Sequence, residues 1–497
     1  MKNLILVLLS GLIFGLSFID IGVGFLCFFA FIPYLYFITK ATPKQAFLFG
    51  FLFGFFITLI TLYGVFNVKL IAFIGLIIAL PLYFAILSVF LRKVHESFPK
   101  IFLWIFPVIW IGFEYMMTLG SLNFPWLNVG YSLSKYYLLI QAADLLGIYG
   151  LSLLVIIINV LLFKVFTSKP KRLLVILIIF VLWIGYGIYR DKTIKLKNSG
   201  LKIGIVQLNI MQEDKWKPEN LVPTIDEYEN QVRILAQVND VDVVIMPESA
   251  IPTYILHEPK YRKRLQNFAL ENNISVLTGF PDYTVEMVKN RPKYKFYNSA
   301  TMIDTTGVLH EKYNKIRLVP FGERIPLLST FPILEKLQFG QANFEFGKDY
   351  PLYKIDDLNF SLLICFEGVF PELSRKYAKK GTDVLVVITN DAWFKRTVLP
   401  HEHANNTKIR AVETRLPLIR AANTGISYIV NPKGKTVIKT AVYERINITS
   451  NLAVKVSDSK TVFVNFGYLF APLCFWVGAV IILISIILPL FVMRRVR

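Results

Sequence analysis

Eight long apolar runs decide what this chain can fold into. Seven fill residues 1–192, at about 3–19, 22–39, 46–66, 69–91, 101–118, 148–166 and 172–189, and an eighth lies at about 466–492. A helix needs roughly 20 apolar residues to cross a bilayer core, and backbone that leaves water must satisfy its own hydrogen bonds. The runs therefore predict membrane-spanning helices. The first run follows Lys2 as a signal peptide would. No small-residue cleavage site ends it and another apolar run starts at once, so it is expected to remain as an anchor. Composition agrees: 55% of the 497 residues are hydrophobic and mean hydropathy is +0.52, too apolar for a soluble protein.

Only 18% of residues are charged, yet the formal net charge is +20. Basic charge in so apolar a chain points to cytoplasmic loops or an anionic lipid surface, and away from nucleic acid. One set of loops holds Lys2; Lys40 and Lys44; Arg92, Lys93 and Lys100; and Lys164, Lys169, Lys171 and Arg172. The alternate loops hold little beyond Lys69 and Lys135. Basic loops stay in the cytoplasm, which places the N-terminus inside and residue 192 outside. The last run ends in Arg494, Arg495 and Arg497, which belong inside as well. The expected organisation is a membrane domain at 1–192, a soluble domain at 193–460 outside the cytoplasmic membrane, and a closing span with a basic tail at 461–497.

Two features of the membrane part stand out. The loop 119–147 carries Phe124-Pro125-Trp126-Leu127 and Tyr131, aromatics suited to anchoring at a membrane interface or to lining a lipid-binding cleft. Glu114 lies inside the fifth span, where an ionisable residue is a functional suspect.

Residues 193–460 alternate short apolar runs with amphipathic segments. Strands are expected at 203–208, 241–246, 274–279, 299–303, 360–364, 384–389, 418–421 and 426–430, and helices at 225–238, 260–272, 371–380 and 403–414. This alternation predicts an α/β sandwich. Three of its segments end in polar residues: Val243-Val244-Ile245-Met246-Pro247-Glu248, Tyr313-Asn314-Lys315 ahead of Pro320-Phe321-Gly322-Glu323, and Ser361-Leu362-Leu363-Ile364-Cys365. Alone, Cys365 reads as an inert core cysteine. Together the three offer a base, a cation and a nucleophile. A thiol of pKa ~8.5 must be activated to attack at neutral pH. Glu248 can take its proton, while Lys315 and the backbone N–H of Phe366 can stabilise an oxyanion. The other cysteines, Cys27 and Cys474, are distant in the chain, and His401 and His403 are a lone i,i+2 pair. No disulfide, zinc site or other cofactor is expected.

The Glu, Lys and Cys motifs, in this order, resemble the nitrilase superfamily, as do Asn390-Asp391-Ala392-Trp393-Phe394 and Arg420-Ala421-Ala422-Asn423-Thr424-Gly425. With the flanking spans, Phe124-Pro125-Trp126-Leu127 and Leu318–Glu323, the whole chain is similar to the bacterial apolipoprotein N-acyltransferases. That resemblance implies a nitrilase-like αββα sandwich on the periplasmic side of the inner membrane, with both termini cytoplasmic. It implies Glu248 as general base, Lys315 as oxyanion stabiliser and Cys365 as nucleophile, with Glu323, Glu367, Phe366 and Trp216 in support. Phe366 stands where the family usually has tyrosine, and Met117 where an arginine often follows the acid at Glu114. The implied reaction moves an acyl chain from a phospholipid, typically phosphatidylethanolamine, to the N-terminal amine of a diacylglyceryl apolipoprotein through a Cys365 thioester. The apolar stretch 324–340 is expected to dip into the membrane as an arm or lid, or to pack on the sandwich as a buried loop. Rival readings are a membrane-tethered amidase and an inactive lipid-binding scaffold. The apolar spans disfavour the first, and the joint presence of Glu248, Lys315 and Cys365 the second.

Overall fold

The apolar runs form helices, but not all of one kind. The computed structural model describes residues 2–167, 170–326, 343–457 and 459–495. Of the stretch 324–340, all but the first three residues lie outside the described residues. The chain divides into two units: Met1–Asp191 with Thr397–Ile409 and Asn465–Arg497, and Lys192–Arg396 with Arg410–Val464.

The first unit is helical: α1 (Lys2–Leu16), α2 (Phe31–Ile38), α3 (Pro43–Leu62), α4 (Leu70–Ser97), α5 (Phe102–Met116), α6 (Ala143–Thr167) and, in largest part, α7 (Arg172–Thr193). Among the described residues, five helical stretches are long and apolar enough to cross a membrane: Pro43–Asn67, Leu70–Ser97, Ala143–Thr167, Arg172–Thr193 and Gly467–Leu488. Asn3–Leu16, Gly24–Ile38 and Phe102–Met116 are apolar but shorter, although the sequence predicts full spans there.

The second of these short helices shows one reason. The run breaks between a 3₁₀ turn, Gly24–Phe28, and α2. Asn159 of α6 fills the break. Its Oδ1 accepts from the Phe31 N–H at 2.9 Å and its Nδ2 donates to the Cys27 carbonyl at 2.9 Å. A helix break in an apolar setting persists only where such a partner satisfies the freed groups. Around it the core is aromatic: Phe31 meets Trp110 edge-on at 4.5 Å and Phe14 at 5.2 Å. On α7, Leu173, Leu177 and Leu182 stay exposed, as do Leu473 and Trp476 on the last helix. Apolar surface of this extent suits lipid rather than water. The chain is a membrane protein.

Glu114 is buried, and its Oε1 accepts from Trp110 Nε1 at 3.3 Å and the Val129 N–H at 2.8 Å. It thereby ties α5 to the Val129–Leu133 turn. Trp126 is buried too, its indole N–H donating to Glu402 at 2.8 Å, so it is core to its unit.

The second unit holds twelve strands among its described residues: β1 (Leu196–Gln207), β2 (Val243–Ile245), β3 (Ser275–Val288), β4 (Arg291–Ile303), β5 (Tyr313–Asn314), β6 (Tyr353–Ile355), β7 (Leu358–Ile364), β8 (Val384–Thr389), β9 (Leu418–Ala422), β10 (Tyr428–Val430), β11 (Thr436–Lys439) and β12 (Ile446–Lys455). They make two six-stranded sheets, ordered β12-β1-β2-β3-β4-β5 and β11-β10-β9-β8-β7-β6. Each has a parallel centre, β1-β2-β3 or β7-β8-β9, and antiparallel edges. Central strands covered on both faces read as unbroken apolar runs, as all six buried residues of β8 do. Helices α8 (Leu221–Asn239) and α9 (Pro259–Glu271) cover the first sheet. Tyr228, Val232 and Leu235 of α8 and Leu265 and Phe268 of α9 pack with Val206, Val244 and Val276. The bare Cα of Gly279 on β3 lets the two sheets approach; a Cβ there would lie 2.9 Å from Ile388 Cδ1 of β8. The result is an α/β sandwich whose parallel strands aim their carboxyl ends at one edge.

Candidate active site

That edge gathers the three predicted residues. Glu248 and Cys365 follow parallel strands, which deliver such residues to the same rim, and Lys315 follows the antiparallel edge strand β5. Cys365 ends β7 in the left-handed region, φ 55°, and a 3₁₀ turn, Cys365–Val369, follows at once. A non-glycine residue in that region is strained, and such strain gathers at functional positions. The residue as a whole is half-buried. Burial pushes the thiol well above its usual range, the carboxylate of Glu248 adds to this, and Lys315 pulls the other way. These influences together favour the neutral thiol.

Glu248 follows β2 and is 7% exposed. Both oxygens are held. Oε1 accepts from Asn298 Nδ2 at 2.7 Å and Oε2 from the Asn390 N–H at 2.8 Å. Lys315 Nζ lies 3.7 Å from Oε1. The turn carrying Glu248 is tight: Ser249 has φ 49°, and a Cβ on Gly279 would come within 2.7 Å of Ser249 N and 3.0 Å of Glu248 Cα.

Lys315 follows β5, is 1% exposed and donates to Glu323 Oε1 at 2.8 Å. Desolvation works against its charge, but Glu323 and Glu248 outweigh it and hold the ammonium above its usual range. It is a permanent cation. Glu323 also accepts from Asn298 Nδ2 at 3.1 Å and, through Oε2, from the Val319 N–H at 2.9 Å. The Pro320-Phe321-Gly322 turn thus folds back to aim this carboxylate at Lys315.

Glu367, fully buried, ties the nucleophile to the cation. It accepts from the N–H of Ile364 at 2.7 Å, beside Cys365, and from those of Ile316 at 2.6 Å and Arg317 at 3.0 Å, beside Lys315. Tyr313 Oη donates to both its oxygens at 2.8 Å. Burial pushes its carboxyl up to about 7 against the pull of these donors. Phe366 is buried edge-on against Phe370 at 5.0 Å. Its ring is a packing element, so the tyrosine hydroxyl of the family is replaced here by apolar contact. Trp216 is 38% exposed just past the short helix Gln212–Lys215 and is not core packing.

Two contributors were missed in the sequence: Asn298, which bridges Glu248 and Glu323, and Lys215, whose Nζ donates to the Glu248 carbonyl at 2.9 Å; Asn390, quoted there only as part of a motif, holds Glu248 through its N–H. Asp391, another acid near Cys365, is paired with Arg420 at 2.7 Å.

A thiol, a nearby carboxylate and a buried lysine are the groups that nucleophilic acyl chemistry requires. Comparison with known proteins agrees. Residues 202–450 match the carbon-nitrogen hydrolase family, and residues 10–161 match the apolipoprotein N-acyltransferase N-terminal domain. The apolipoprotein N-acyltransferase of Geobacter metallireducens is 32% identical over 97% of this chain and 94% of its own length. That of Rickettsia prowazekii is 33% identical over 73% and 72%. Among solved structures, an amidase from Nesterenkonia sp. AN1 aligns with 51% of this chain and 93% of its own at 19% identity, with a TM-score of 0.39. Sheet unit, helical unit and near-full-length relatives point the same way, and the chain belongs to the apolipoprotein N-acyltransferase family.

Proposed function

We propose that the protein moves an acyl chain from a phospholipid, with phosphatidylethanolamine as donor, to the α-amine of the diacylglyceryl-cysteine that begins an apolipoprotein. The observation that carries the reading is the convergence of Cys365, Glu248 and Lys315, with Lys315 Nζ 3.7 Å from Glu248 Oε1 and Glu367 joining the segments that carry Cys365 and Lys315. In the first step Glu248 takes the thiol proton as sulfur attacks the ester carbonyl. Lys315 and the Phe366 N–H stabilise the oxyanion. Collapse breaks the ester C–O bond, and the leaving lysophospholipid oxygen takes the proton from Glu248. In the second step the neutral amine attacks the thioester and gives its proton to Glu248. Collapse then breaks the C–S bond, and the departing sulfur recovers that proton. Glu323 and Glu367 position Lys315, and exposed Trp216 offers an apolar face to an acyl chain.

The alternation of basic loops supports placing this chemistry on the outer face of the bacterial inner membrane, with both termini cytoplasmic. The test is purified protein with phosphatidylethanolamine and a diacylated lipopeptide, read by mass spectrometry. The product gains one amide-linked acyl chain, and Cys365→Ala yields none. Acylation by Cys365→Ala sinks the mechanism, and ammonia from small amides without lipopeptide product turns the reading to an amidase.

A further inference from the structure

The sheet unit buries a second lysine beside the base. Lys215 is 1% exposed, and among the described residues it forms no salt bridge. Its hydrogen bond runs to the backbone carbonyl of Glu248. An ammonium desolvated without a carboxylate hydrogen bond costs the fold several kcal/mol, so its retention asks for a reason. Geometry supplies one. The Glu248 turn is wedged against Gly279 and continues into left-handed Ser249. A charge-assisted bond to the Glu248 carbonyl opposes the relaxation of that strain. The segment carrying Lys215 is itself pinned to the site. Ile210 exchanges both backbone hydrogen bonds with the Asn423 side chain, and Gln212 accepts from Asn390 Nδ2, whose own N–H holds Glu248 Oε2.

We propose that Lys215 is a positioning residue for the base: its ammonium seats the Glu248 turn and supplies positive charge to the carboxylate, separately from Lys315. Burial lowers Lys215 to about 8, opposed by the charge of Glu248, the titratable group that faces it. The ammonium is therefore present at neutral pH and lost just above it, whereas Lys315 stays charged throughout.

This inference rests on the acyl-transfer reading, and the test separates the two. Full-length protein in detergent micelles with phosphatidylethanolamine is assayed for the first half-reaction alone, thioester formation on Cys365, across pH 6–10. Wild type shows a rate that falls above about pH 8. Lys215→Met unfolds no earlier than wild type, forms thioester at least about 30-fold more slowly at pH 7, and lacks the fall near pH 8. Lys215→Gln, which keeps a donor without charge, is intermediate in rate and also lacks the fall, and Lys215→Arg recovers part of the rate. A wild-type profile flat through pH 8 overturns the proposal, as does Lys215→Met with wild-type rate or with a slower rate of unchanged pH shape. Thioester-independent acylation by Cys365→Ala, by contrast, overturns the underlying reading and not the role of Lys215.

Discussion

Glu367 shows how one side chain fixes the spacing of a site. Every contact it makes is with a donor: three backbone N–H groups on two segments and the Tyr313 hydroxyl. Gln at this position has one acceptor oxygen and one NH₂, so either orientation sets a donor against a donor. Glu367→Gln is expected to cost about 1–3 kcal/mol of stability, the penalty of unmade buried hydrogen bonds. It also loosens the Cys365–Lys315 spacing, for which about a 100-fold loss of thioester formation is expected. Thermal unfolding and acyl-enzyme trapping check the two separately. Lys215 gives a different signature, in stability against pH. Its value falls from 10.5 to about 8 on folding, so between these values the unfolded chain binds more protons and stability rises with pH. The window is worth about 3 kcal/mol at most. Denaturant titrations at pH 7.5 and 10.5 should show this rise in wild type and its absence in Lys215→Met. An equal rise in both removes Lys215 as its source.

Strands and turns hold these residues through close approach, and Gly279 is the sharpest case. A methyl group there meets Ser249 N, Glu248 Cα and Ile388 Cδ1, all at 3.0 Å or less. Backbone cannot yield as a flexible side chain does, so Gly279→Ala must shift the base turn. Overpacking of this kind costs about 1–3 kcal/mol, and the misplaced base should lower thioester formation about 100-fold. Thioester formation at the wild-type rate would show that the turn tolerates the shift. The sequence revealed the strands that lie inside the sandwich, because β2, β8 and the second half of β7 are nearly unbroken apolar runs. It hid the edges. The outer parts of β3 and β4, with Glu286, Lys293 and Lys295, are exposed hairpin and read as loop. Strand β12 alternates exposed and buried residues at an edge, and β5 and β6 are only two and three residues long. Glu248 and Cys365 were legible because each follows a buried central strand, and Lys315 because it precedes the Pro320-Phe321-Gly322 turn. Asn298 and Lys215 were not, since their importance lies in what they touch across the sheet edge rather than in any local pattern.

Whole-molecule organisation was read from two independent signals, run length and loop charge, and they differ in reach. Run length sees composition but not breaks, which is why the run at 22–39 reads as one span although Asn159 stabilises an interruption within it. Loop charge is insensitive to such breaks, because it depends on the sign of the connections and not on the exact helix ends. The proposed orientation rests on loop charge, and it makes a paired prediction. Asn290 is exposed at the β3–β4 hairpin tip, and Lys93 is exposed among the basic residues ending α4. Cys27 and Cys474 are buried, so a Cys365→Ala background leaves little competing thiol. With intact cells and a membrane-impermeant maleimide, Asn290→Cys should label at once, and Lys93→Cys only after permeabilisation. Labelling in the reverse order would turn the whole chain over, and with it the leaflet from which the acyl donor is drawn. Labelling of both in intact cells would instead mean that an even number of crossings, not three, lies between residues 93 and 290, placing the fault in the count of short helices rather than in the charge rule.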